Sequence, residues 1–218
     1  MISRRLLISS AAVSAAGMSS SLFAAAPAFT LGKEYTAVRP ALEFPKKPIL
    51  VHDFFAYTCP HCLTFAPLMD EFIASVKDVA DVKVVKVPVA WNDDLSIFPL
   101  TYYAFETLGR MDDLHMEFWN WVIRGAHEWQ TAGDIEKDVV QWAGEHGVDQ
   151  DKFRKLLGSF SAVSKYRQAT RTWKNYGVDA TPCVGIAGRY ITAPHLVGTR
   201  QGTIDAINWL INKIREEK

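Results

Sequence analysis

Two hydrophobic periods run along this chain, and the places where one gives way to the other mark its elements. Residues 48–57 (PILVHDFFAY) are almost continuously apolar, β-branched or aromatic, and are bounded by Pro48 and by Thr58-Cys59-Pro60. They predict a buried strand. Phe65, Leu68, Met69, Phe72, Ile73 and Val76 then recur at i, i+3, i+4, i+7, i+8 and i+11, the spacing of one helical face. Pro67 lies inside this run and is expected to kink the helix rather than end it, since the pattern continues beyond it. Residues 82–89 (VKVVKVPV) alternate well enough for a second strand, with Pro88 near its end. Strand, helix and strand in about forty residues make a βαβ unit, which implies a parallel pair and a right-handed crossover.

From about Phe98 to Gly177 the periods are helical only. Asp112–Arg124, Thr131–His146, Asp149–Leu157 and Ser161–Tyr176 each carry an apolar face. Asp149 and Ser161 are the expected N-caps, and Gly177 stands where a helix C′ glycine belongs. Strand signals return at Cys183–Ala187 and Tyr190–Thr192, joined by a turn at Gly188-Arg189. Ile204, Ile207, Leu210, Ile211 and Ile214 define a last helix. The order is βαβ, a helical block of about eighty residues, then ββα. The chain leaves a sheet and comes back to finish it, so the class is α/β with an all-helical insertion.

Composition narrows the function. With 218 residues and 49% apolar content the chain can bury one good core. Lys plus Arg and Asp plus Glu both number 24, and no basic run exceeds two residues. Nucleic-acid binding normally needs a basic excess or face, so no nucleic-acid partner is expected.

The N-terminus reads as an export signal. After Arg4-Arg5 no charge occurs until Lys33, and the apolar stretch ends in small residues at Ala26-Pro27-Ala28. Six serines and Gly17 dilute the run, which argues against a transmembrane anchor. Residues 1–28 are therefore expected to be a cleaved signal peptide, leaving a chain with a formal charge of −2. The arginine pair leaves the general and the twin-arginine export routes both open. In an oxidising compartment a cysteine pair can persist as a disulfide.

Of three cysteines, Cys59 and Cys62 form a C-x-x-C where the first strand gives way to the kinked helix. A structural zinc site would need a second such pair or paired histidines, and the chain has neither, so no metal or other cofactor is expected. At a helix start the first cysteine meets unpaired N–H groups and the positive end of the dipole, which favour thiolate over thiol. A thiolate of low pKa is the nucleophile in disulfide exchange and the better leaving group. His61, between the two, can add charge or a hydrogen bond. Asp53, six residues before Cys59 in an apolar strand, is costly to bury unless paired or protonated. Lying under the site, it would exchange a proton with Cys62, and Lys86 on the neighbouring strand is its candidate partner. Thr181-Pro182 opens the returning strand, and because cis is the minority state of X–Pro bonds, the residues alone point to trans.

Taken together, Cys-Pro-His-Cys after a Phe-Phe strand, Pro67 five residues past Cys62, the helical block and Tyr-Gly-Val-x-x-Thr-Pro at 176–182 resemble the DsbA-type thiol:disulfide oxidoreductases of the bacterial periplasm. The resemblance implies a thioredoxin-like fold over residues 29–96 and 178–218, with residues 97–177 as the helical insert. It implies that Pro182 is cis and packs on the Cys59–Cys62 disulfide, that Asp53 takes the place of a buried acid, and that Lys86 matches a buried lysine. Pro60 and Thr181 become the substrate-contacting positions. It further implies a periplasmic protein that donates disulfides to reduced exported polypeptides and is reoxidised by a membrane quinone-linked oxidase of the DsbB type; nothing in the sequence points beyond a monomer. An isomerase, a reductase, a dedicated paralogue, or a binding or metal-carrying module with vestigial cysteines are the alternatives. Cys183, where relatives usually carry another small residue, should face away from Pro182 and stay an inert core thiol.

Overall fold

The computed structural model describes residues 28–217, so the expected signal peptide lies outside the described residues apart from its last position. The first strand that the hydrophobic pattern predicts is β2 (Ile49–Phe55), preceded by a short β1 (Tyr35–Ala37) that no hydrophobic period announced. Three residues are too few to display one. Helix α1 (Pro60–Val76) runs through Pro67, and β3 (Val82–Pro88) completes the βαβ unit. After a single 3-10 turn come α2 (Ile97–Leu108), α3 (Met111–Arg124), α4 (Ala132–Glu145), α5 (Gln150–Leu157) and α6 (Phe160–Tyr176). The chain then returns as β4 (Cys183–Ile186), β5 (Tyr190–Thr192), the single turn α7 (Pro194–Val197) and α8 (Arg200–Glu216). The strand order is β1-β5-β4-β2-β3, with β2 and β3 parallel and the other pairs antiparallel. This is the α/β sheet of a thioredoxin domain carrying a helical insertion.

Caps and turns show why the elements stop where they do. The Asp149 side chain accepts from Lys152 N–H at 2.7 Å, as expected for an N-cap. Ser161 is not the cap of α6; Ser159 is, accepting from Ala162 N–H at 3.2 Å. Phe160, 90% exposed, starts the helix as an apolar residue outside the buried stripe, which displaced the expected boundary. Gly177 ends α6 in the left-handed region at φ +70°. The β4–β5 turn centres one residue earlier than expected, on Ala187 (φ +52°) and Gly188 (φ +68°), with Arg189 N–H donating to Ile186 O at 2.9 Å. Two successive positive φ values match the right-handed twist of a two-residue hairpin. Helix α2 was not delimited from sequence because IFPLTYYAFETL is apolar on most sides; eight of its twelve residues are buried.

The two faces of β2 build two cores. Val51 packs with Phe65 and Met69 of α1 and Ile207 and Leu210 of α8. Burying each such side chain contributes about 1.5–3 kcal/mol. On the opposite face Phe54 meets the Tyr176 ring edge-on at 5.2 Å between centroids. Gly185 of β4 permits this approach, since a Cβ there would lie 2.4 Å from the Tyr176 ring. The insert has its own aromatic interior, in which Phe118 contacts Phe105 and Trp142 at 5.5 and 5.1 Å. It grips the sheet at the end of β2, where Phe55 and Tyr57 pack on Trp119 and Tyr57 Oη lies 2.7 Å from His115 Nδ1. That clamp sits immediately before Cys59.

Candidate active site

Cys59 is the N-cap of α1, with extended dihedrals (φ −103°, ψ 108°) and Pro60 as the first helical residue. Proline suits that position because its missing N–H would have had no intrahelical partner. The Cys59 Sγ accepts from the backbone N–H of Cys62 at 3.2 Å, in the geometry an N-cap oxygen would use. Its pKa is lowered to about 6. The Cys62 thiol donating to it is the main cause, with Thr181 and the backbone N–H groups of Cys62 and His61 adding to it against the cost of burial. Cys62 is only 2% exposed, and its thiol is pushed far above the usual range by burial and by its neighbour's charge. One helix start thus splits two chemically identical groups into a half-buried nucleophile and a buried, protonated thiol.

Tertiary packing brings the late proline motif here. Thr181 O lies 3.3 Å from Cys59 Sγ, although the two residues are 122 positions apart. The Thr181-Pro182 peptide is cis, as the resemblance implied and the residues alone did not. Cys62, Pro182, Asp53, Lys86 and Trp119 share a cavity of about 10 Å³ behind the dithiol, space on the scale of one water molecule. Asp53, 6% exposed, reaches it from the face of β2 that also carries Phe55. Burial pushes its carboxyl up to about 6, against the lowering effect of Lys86.

Lys86 does stand opposite Asp53 in the parallel ladder, yet its ammonium is taken by another acid. Its Nζ lies 2.7 Å from Asp70 Oδ1 on α1, so the expected Asp53–Lys86 ion pair is replaced by a Lys86–Asp70 pair. Lys86 then acts on Asp53 through space only, and the Asp70 charge works against it. Asp70 sits on the polar side of α1 and gave no signal in the sequence. His61 is exposed, and its side chain lines a groove on the outer side of the site, together with Thr181 and Pro182. Its backbone N–H is the part that serves Cys59.

Cys183 lies on the other side of the sheet. It pairs with Phe54 in the antiparallel register, whereas Val184 pairs with Asp53, so Cys183 shares the Phe54 face and is 3% exposed. Burial raises its thiol pKa above the usual range. Among the described residues no three metal-ligating side chains come together, and no helix is long and apolar enough to cross a membrane.

A dithiol split in this way at the first helix of a thioredoxin sheet, beside the Thr181-Pro182 turn, defines a thiol:disulfide oxidoreductase. The Thioredoxin family model matches residues 34–97. The chain is 30% identical over 213 residues to the thiol:disulfide interchange protein DsbA of Bordetella parapertussis, covering 96% of each chain. It is 31% identical over 198 residues to that of Bordetella pertussis, covering 89% of this chain and 91% of the relative. The crystal structure of Pseudomonas aeruginosa DsbA superposes with a TM-score of 0.74 at 25% identity, over 87% of this chain and 96% of that one. The chain belongs to the DsbA family.

Proposed function

We propose that this protein donates disulfides to reduced exported polypeptides in the periplasm. The observation that carries the reading is the opposed tuning of the two thiols, Cys59 lowered to about 6 and Cys62 raised. Thiolate stabilisation favours the dithiol form over the disulfide, which makes the pair an oxidant. In the forward step a substrate thiolate attacks Cys59 Sγ of the disulfide, the Cys59–Cys62 bond breaks, and its electron pair leaves on Cys62. Cys62 takes up a proton relayed by Asp53, whose buried carboxyl titrates at about 6, through the small cavity the two residues share. A second substrate thiolate then attacks the substrate sulfur of the mixed disulfide and Cys59 leaves. Two electrons pass from substrate to protein, and the substrate gains its disulfide.

Pro60, Thr181 and Pro182 are the positions that meet the substrate chain, the Thr181 carbonyl lying nearest the reacting sulfur. Lys86 holds Asp70 and tempers the Asp53 carboxyl. The resemblance to DsbA supports residues 1–28 as a signal peptide, a monomer divided at 29–96, 97–177 and 178–218, and reoxidation by a quinone-linked membrane partner of the DsbB type. Equilibration with glutathione buffers tests the donor role. A donor is predominantly reduced at ratios where a thioredoxin-like reductase stays a disulfide, and the Cys59→Ser variant loses all exchange. A pair that stays oxidised under those conditions makes the protein a reductase instead.

A further inference from the structure

We propose that Arg200 makes the groove beside Cys59 selective for substrates that carry a carboxylate next to the reacting cysteine. The inference rests on the disulfide-donor reading and adds a substrate class to it. The groove, about 280 Å³, is lined by His61, Thr181, Pro182, Pro194, His195 and Arg200. Thr181 O is 3.3 Å from Cys59 Sγ, so a substrate sulfur bonded to Cys59 stands at the edge of this groove. The residues flanking the substrate cysteine run along its walls.

Three features give those walls one electrostatic sign. None of the six lining residues is acidic, and Arg200 is charged at every working pH. Among the described residues Arg200 makes no ion pair; its guanidinium contacts only Thr64 Oγ1, at 3.4 Å. It is also the first residue of α8, a helix of 17 residues, whose positive end therefore faces the same space. His61 and His195 are exposed and add N–H donors on either side. The ordinary alternative is a solvated arginine that merely holds α8 to Thr64, and it predicts no discrimination between substrates.

The test uses the oxidised full-length mature protein and two dithiol peptides that differ only by Glu or Gln beside the reacting cysteine. Their rates of oxidation are read by alkylation quench and mass. An exposed ion pair corresponds to about a two- to fivefold preference for the Glu peptide at low ionic strength, lost in high salt. Arg200→Gln should bring the Glu/Gln ratio close to one, and Arg200→Lys should restore part of it. Because each ratio is taken within one variant, a general change in activity or folding cancels. Equal rates in the wild type, or a ratio that survives Arg200→Gln, overturn the selectivity and leave the donor role standing. Oxidation of neither peptide overturns the donor role itself and the selectivity with it.

Discussion

Asp53 places an ionisable group where ionisation opposes folding, and Asp53→Asn should expose the size of that opposition. The folded carboxyl titrates at about 6 against an ordinary 3.8, because burial penalises the charged form. Near pH 3 both folded and unfolded chains hold the proton and the group adds no pH dependence. Between pH 3.8 and 6 the folded chain keeps the proton that the unfolded chain has released, so stability falls as pH rises through this window. The shift of roughly two pKa units corresponds to about 3 kcal/mol of stability lost by pH 7. Asparagine cannot ionise, so the variant escapes this loss. Urea unfolding of the reduced wild type and of Asp53→Asn, run in parallel from about pH 3.5 to 7.5, should show the variant gaining about 3 kcal/mol relative to wild type across the range. In a domain of this size that is a relative gain of about 6–12 °C in Tm. Only the change with pH matters, since the amide adds a constant offset through its own hydrogen bonding. A stability gap that stays constant over that whole range would refute the buried, elevated carboxyl. The same variant should slow resolution of a mixed disulfide by Cys62, the reverse of the step in which Cys62 takes up its proton, near neutral pH while leaving Cys59 alkylation nearly unchanged; equal slowing of both would reassign Asp53 to folding.

Replacing His61 with Ser keeps the backbone N–H that serves Cys59, so the Cys59 pKa, read from thiolate absorbance against pH, should stay close to that of the wild type. A clearly raised pKa would give the imidazole a share in holding the thiolate. Cys183→Ala should preserve exchange activity and redox equilibrium, and the native reduced protein should show two readily alkylated thiols rather than three. Rapid labelling of Cys183, or a Cys59–Cys183 bridge trapped in Cys62→Ser, would contradict its place on the far face of the sheet. Gly185→Ala drives a methyl group into the Tyr176 ring at 2.4 Å and should destabilise the fold by about 1–3 kcal/mol in denaturant unfolding. Wild-type stability in that variant would mean that the α6 terminus yields freely.

What the sequence determined by itself is the part of this protein governed by nearest neighbours. The βαβ unit was legible because Val51, Phe65 and Met69 recur with the periods of a strand and a helix. The nucleophile was legible because a cysteine before Pro60 at a helix start meets free N–H groups whatever the rest of the fold does. Asp53 stood out because a carboxylate inside an apolar strand is costly wherever that strand sits in the sheet. Alternation of side chains along β4 was enough to separate Cys183 from Pro182. Other features depended on which distant segments share a boundary. Thr181 reaches Cys59 only because β4 pairs with β2, and Lys86 turned to Asp70 because α1 crosses β3 at that level. β1 did not show itself, being too short to carry a period, and α2 fell in the helical block without bounds of its own, being buried on nearly every side. The Arg200 groove joins the ends of α1, α7 and α8 with the turn before β4, a meeting of chain ends that has no local signature. Periodicity and capping act within a few residues, whereas ion-pair partners and cavities are settled by packing between elements far apart in the chain.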